Sequence, residues 1–165
     1  MNSTPVLTRE YIFSLLENVK DPEVPVISVR ELGVLRDVTV EADKVLVTIT
    51  PTYTGCPAMD MMREDILAEL HKAGITNVEV KQTLSPAWTT DWISEAGKAK
   101  LKAYGIAPPE KTADIRALKG EQPVVACPQC GSKNTVLLSL FGSTACKALW
   151  KCQDCLEPFD QFKCL

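Results

Sequence analysis

Histidine is nearly missing from these 165 residues: there is one, at position 71, and aromatic residues make up only 6%. A site built on several imidazoles is thereby excluded. No apolar run approaches the eighteen residues needed to cross a bilayer, and the opening MNSTPVLTREYIF lacks the charged start and apolar stretch of a signal peptide. A cytosolic (cytoplasmic) protein with no membrane partner is therefore expected. Basic residues are not in excess either. Eighteen lysines and arginines stand against 21 acids, and the net charge of −3 divides as about −4 before residue 124 and +1 after it. Neither part carries the dense basic footprint of a nucleic-acid binder. Also lacking are a nucleotide loop, a serine nucleophile motif, a zinc-hydrolase motif and the paired glutamate-histidine motif of di-iron sites. No catalytic residue is assigned, and an autonomous enzyme is not expected.

Cysteine is sparse at first and then abundant, with six of the seven lying after residue 126. A segment of some forty residues is too short to build a sufficient apolar core without a disulfide, metal or partner. In a reducing compartment, paired cysteines read as metal ligands rather than disulfides. Cys127-Pro-Gln-Cys130 and Cys152-Gln-Asp-Cys155 are two CxxC pairs separated by 21 residues. Each pair can wrap its backbone round one side of a tetrahedral ion, and Val136 to Leu138 with Ala148 to Trp150 suit the intervening hairpin. Residues 124–165 are thus expected to be a zinc ribbon with one structural Zn2+, zinc being preferred over iron. Gly131 follows the first pair, but Leu156 stands where the second would want glycine. Cys146 and Cys164 are left over, to be read as buried small apolar residues, a redox pair or ligands of a second metal.

The first part reads as a small layered α/β domain. Thr8 can cap a helix whose buried stripe is Ile12, Leu15, Leu16 and Val19. DPEVP, with prolines at 22 and 25, should be a tight exposed loop carrying Asp21 and Glu23. Two strands follow, near 34–40 and 45–50, with a turn at 41–43, as a hairpin. Pro57 suits the first position of a second helix, with Met59, Met62, Ile66, Leu70 and Ala73 buried and Gly74 as its stop. A strand at 77–84 and a helix at 94–104 complete the order. Residues 107–123, short of large apolar side chains, form the linker, giving domains of 1–106 and 124–165.

Cys56 sits where a loop meets a helix start, a place where the helix dipole favours a thiolate. The alternative is a half-buried capping residue. Asp21 and Glu23 offer oxygen ligands or simply a solvated loop. His71 should be exposed. Trp88 and Trp92 in PAWTTDW are candidate partner-docking residues, with internal packing as the alternative.

Taken together, DPEVP, PTYTGCPA, SPAWTTDW, YGIAPP, CPQCGS, FGSTACKALWKC and EPFDQFKC resemble the D-subunit family of bacterial 1,2-phenylacetyl-CoA epoxidases over almost the whole chain. The first hundred residues are also similar to the wider SufT-like family of iron–sulfur assembly accessory domains, whose marks match Asp21, Pro22, Glu23, Thr52, Cys56 and Pro57. The resemblance implies an accessory in phenylacetate catabolism that assists maturation of an iron–sulfur or di-iron centre, with Asp21, Glu23, Thr52 and Cys56 handling a transient iron–sulfur cluster or iron. It implies the oxygenase and reductase subunits of the epoxidase as partners, and leaves a homodimer open. The competing reading is a non-catalytic scaffold that holds the oxygenase complex together.

Overall fold

The computed structural model describes residues 7–109, 120 and 123–163. The chain divides into two compact units, 1–88 and 89–165, each described by itself. Among the described residues no helix is long and apolar enough to cross a membrane.

The first unit opens with α1 (Arg9–Leu16), whose cap is Thr8; its Oγ1 accepts the Tyr11 N–H at 3.2 Å. Ile12 and Leu16 are fully buried on its inner stripe. The helix ends earlier than the stripe suggested, and Val19 is buried from the turn that follows. β1 (Leu35–Glu41) and β2 (Lys44–Ile49) form the expected antiparallel hairpin, and Ala42 takes a left-handed φ of 51° in its tight turn. In β2 Val45, Val47 and Ile49 are buried and alternate with half-buried neighbours, the period-2 pattern of a sheet covered on one face.

α2 (Ala58–Lys72) crosses over the sheet so that β3 (Val78–Gln82) returns parallel to β2, in the strand order β1-β2-β3. Met59, Met62, Ile66 and Leu70 face inward. Pro57 lies one residue outside the helix, as its cap. The C-terminus closes as a Schellman turn: Gly74, at φ 82°, donates to His71 O, and Ile75 donates to Leu70 O at 3.0 Å.

In the second unit Ser94 caps α3 (Glu95–Ala103), accepting the Gly97 N–H at 3.0 Å. A two-residue strand, β4 (Ile106–Ala107), follows. β5 (Thr135–Ser139), β6 (Lys147–Cys152) and β7 (Pro158–Phe162) complete a four-stranded sheet in the order β4-β7-β6-β5. The expected hairpin is β5–β6; β4 and β7 are additions to it. β4 is too short to carry periodicity, and it exists because it pairs in parallel with β7. That pairing groups residues 89–107 with the ribbon rather than with the first unit. The ribbon core gathers Ala107, Val125, Ala148, Trp150 and Phe159 beside Cys127 and Cys152, and Leu137 packs on it. The Trp150 indole N–H is satisfied by Gln161 Oε1 at 3.0 Å. Most of the expected linker lies outside the described residues.

Candidate functional site

The two CxxC segments fold into matching knuckles. In each, the first cysteine's N–H donates to a carbonyl five residues on: Cys127 to Ser132 O at 2.8 Å, Cys152 to Glu157 O at 2.9 Å. Each knuckle needs a left-handed residue after its second cysteine. Gly131 supplies it at φ 75°, and Leu156 at φ 65°. The leucine that seemed out of place thus adopts the glycine conformation.

The four sulfurs of Cys127, Cys130, Cys152 and Cys155 all lie within 4.8 Å of one another, with Cys127–Cys155 at 3.7 Å and Cys130–Cys152 at 3.6 Å. A zinc ion about 2.3 Å from each of four tetrahedral thiolates would hold them about 3.8 Å apart. The donor set therefore fits one Zn2+. Cys127 and Cys152 are buried, while Cys130 and Cys155 are exposed, so the site lies at the rim of the ribbon core.

Backbone N–H groups favour ionisation at one of these sulfurs. The Cys155 N–H, with that of Asp154, brings Cys152 down to about 7 against the opposing effect of burial. Cys155 receives the Glu157 N–H, but desolvation of its sulfur among the other three, together with their hydrogen bonds, outweighs it and pushes that thiol up to about 12. Four thiols this close cannot all ionise without a cation among them. A clasp joins the knuckles: Asp154 accepts hydrogen bonds from the Ser132 hydroxyl and, at 2.9 Å, from Asn134 Nδ2. Neither partner was singled out in the sequence, where polar residues in short turns look like ordinary solvated loop.

A second cluster occupies the first unit. The loop after α1 is pinched by a bridge between Lys20 and Ser28, and the Asp21 N–H donates to Ile27 O at 3.0 Å. Asp21 is only 6% exposed, which corrects the expectation of an exposed carboxylate. Its Oδ1 accepts the backbone N–H groups of Glu23 at 2.7 Å and Val24 at 2.9 Å, so the side chain replaces solvent inside a turn that proline keeps irregular. Glu23 is half-buried.

Both carboxylates act electrostatically on Cys56, which is half-buried. Burial raises its pKa above the ordinary thiol value, the Ala58 N–H lowers it, Glu23 raises it, a Tyr53 hydrogen bond lowers it, and Asp21 adds a smaller upward effect. The net direction is upward. The thiolate expected from the helix start is therefore corrected, because desolvation and two anions outweigh the N–H groups of the first turn. Tyr53 is the residue sequence reasoning overlooked here. Thr52 is half-buried on the same loop. Thr50, which opens it, keeps a buried Oγ1 with no hydrogen-bond partner among the described residues.

The remaining candidates separate. Trp88 is 4% exposed, and its indole N–H donates to Leu32 O at 3.0 Å, so it is a core residue of the first unit and its assignment to docking is corrected. Trp92 is half-buried in the second unit. His71 is exposed near the end of α2. Cys146 is buried, with its sulfur 3.1 Å from Thr144 Oγ1. Cys164 lies outside the described residues.

Fold and site define a small α/β domain carried together with a four-cysteine metal ribbon. Residues 9–81 match the family described as iron-sulfur cluster assembly protein, and residues 111–163 match the PaaD zinc beta ribbon domain. The chain is 44% identical over 154 residues to the putative D-subunit of the 1,2-phenylacetyl-CoA epoxidase of Escherichia coli, covering 93% of this chain and 92% of that protein. It belongs to that D-subunit family. An Fe-S protein maturation auxiliary factor of Porphyromonas gingivalis is 38% identical over 61% of this chain and 97% of its own length. The crystal structure of a domain of unknown function, DUF59, from Bacillus anthracis aligns with a TM-score of 0.53 at 27% identity, covering 56% of this chain and 90% of that one. A conserved hypothetical protein of Thermotoga maritima aligns with a TM-score of 0.50 at 32% identity, covering 58% and 94%. The chain thus covers 90–97% of these shorter relatives and extends beyond them into the ribbon. The ribbon's metal is structural zinc.

Proposed function

We propose that this chain is a cytoplasmic, non-catalytic accessory of the phenylacetyl-CoA epoxidase system that assists loading of an iron–sulfur or di-iron centre in another component. Cys56 is the thiol that contacts the cargo, Glu23 and Thr52 line its approach, and Asp21 holds the loop that presents Glu23. Cys127, Cys130, Cys152 and Cys155 hold the zinc and take no part in transfer. The observation that carries this reading is the convergence of Asp21, Glu23 and Tyr53 on one half-buried thiol in a domain of the assembly type. A protonated thiol beside two carboxylates suits a cationic cargo: iron would relieve the anionic crowding and displace the thiol proton.

The test is the iron and acid-labile sulfide content of reductase and oxygenase purified from cells with the wild-type chain, with Cys56→Ser, and with none. Underloading in the last two is expected. Full loading in all three overturns the maturation role. The scaffold reading is favoured by the exposed apolar side chains of the ribbon, and it predicts full loading with a complex that falls apart only when the chain is deleted.

A further inference from the structure

Nine large apolar side chains are exposed among the described residues, and four of them fall within six consecutive positions: Val136, Leu138, Leu140 and Phe141. The register explains why. Leu137 lies opposite Trp150 and packs on the ribbon core, so Val136, opposite Lys151, belongs to the other face of the sheet. The register shift between Leu137 and Ser139 leaves Leu138 as the extra residue, 53% exposed.

The outer face of an antiparallel sheet is usually polar, and an edge strand is usually guarded by a charge or a proline. β5 is an edge strand, and residues 134–141 contain neither guard. The charges around this apolar row are mostly cationic. Lys151 is the direct cross-strand neighbour of Val136, and Lys163 Nζ sits 4.3 Å from the Phe141 ring centroid. Asp160, opposite Leu149, lies 3.9 Å from Lys147. In a two-fold pair of identical chains each patch meets itself, which would bring lysine rims together. An acidic-rimmed surface is the complementary occupant.

We propose that this face of the ribbon docks another protein whose contact area has an apolar centre bordered by aspartate or glutamate. The inference rests on the accessory role proposed above, so the partner is sought among the oxygenase and reductase components. Zinc-loaded chain is titrated calorimetrically against each purified component, at low and high salt. One component is expected to bind, less tightly as salt rises, and at least about tenfold less tightly to the Val136→Lys, Leu138→Lys double variant. Lys151→Glu, which leaves the apolar row intact, should also weaken binding. Retained zinc stoichiometry shows that the variants are folded.

Unchanged binding by both variants, or no binding by any component, overturns the proposal. So does self-association of the wild type that the double variant abolishes, which would make a second copy the occupant. Loading failure in Cys56→Ser with docking indifferent to the double variant removes the docking face and leaves the maturation reading intact. Docking lost in the double variant, with full loading in every strain, does the reverse.

Discussion

Asn134 and Asp154 lie 20 residues apart, the first just past one knuckle of the ribbon and the second within the other, and Asn134 Nδ2 donates to Asp154 Oδ1 at 2.9 Å. With the Ser132 hydroxyl on the other carboxylate oxygen, this contact ties the halves of the metal site together without touching the metal. The four sulfurs are thereby held near their bound spacing. Asp154→Ala should weaken zinc binding by up to about tenfold, the low end of the range for groups bonded to a metal ligand itself, because the carboxylate acts on the ligands only through the turns that carry them. Asp154→Asn, which keeps one acceptor, should fall between. Competition with a chromophoric chelator measures both; wild-type affinity in Asp154→Ala would deny the clasp its role.

Removing the metal should unfold one unit and spare the other. Cys127 and Cys152 are buried in the same cluster as Trp150 and Phe159, so losing the ion leaves crowded thiols inside the ribbon core. The first unit has its own core of Ile12, Leu16, Ile49, Met62, Ile66 and Leu70. After chelation, hydrogen exchange should rise sharply at amides 135–139, 147–152 and 159–162 and remain slow at 45–49 and 62–70. A chelated chain still protected throughout would mean that the ribbon core holds unaided.

The Cys56 thiol should react slowly for a cysteine. Its pKa lies above the ordinary value, so at neutral pH less of it is thiolate, and its alkylation rate should climb only at higher pH than that of an unstructured cysteine. The sign for stability follows: a raised folded pKa favours the folded state while the thiol is protonated, and that contribution is lost as pH rises through the folded value. Glu23→Gln removes an anion that raises the pKa, so it should shift the pH–alkylation curve downward and speed labelling at neutral pH. Peptide mapping after graded alkylation reads both. Faster labelling of wild-type Cys56 than of a free cysteine would contradict the burial and charge argument.

Leu156 is 62% exposed and holds a left-handed φ of 65°. A leucine there costs roughly 1–2 kcal/mol of backbone strain, whereas glycine gives back about 0.5–1 kcal/mol through the entropy of the unfolded chain. Leu156→Gly should therefore leave the ribbon equally or slightly more stable, by up to about 1.5 kcal/mol, in denaturant titrations of the zinc-loaded protein. A loss of stability would show that the leucine side chain makes contacts worth more than the strain.

The sequence alone determined whatever depends on local spacing. Thr8 caps where a hydroxyl precedes an apolar stripe, Gly74 stops α2, the Val45-Val47-Ile49 alternation makes a half-covered strand, and two CxxC pairs gather four sulfurs. Each of these is written within a few residues, because helix and strand periods and knuckle turns are short-range. Tertiary structure decided what depends on residues far apart. It took Trp88 into a core by giving its N–H to Leu32, recruited Ile106 and Ala107 to β7, and joined Asn134 to Asp154. It also set the protonation of Cys56. The helix start favours the thiolate, but the burial and carboxylates that oppose it come from elements brought together only by folding, and desolvation with like charge is the stronger effect there.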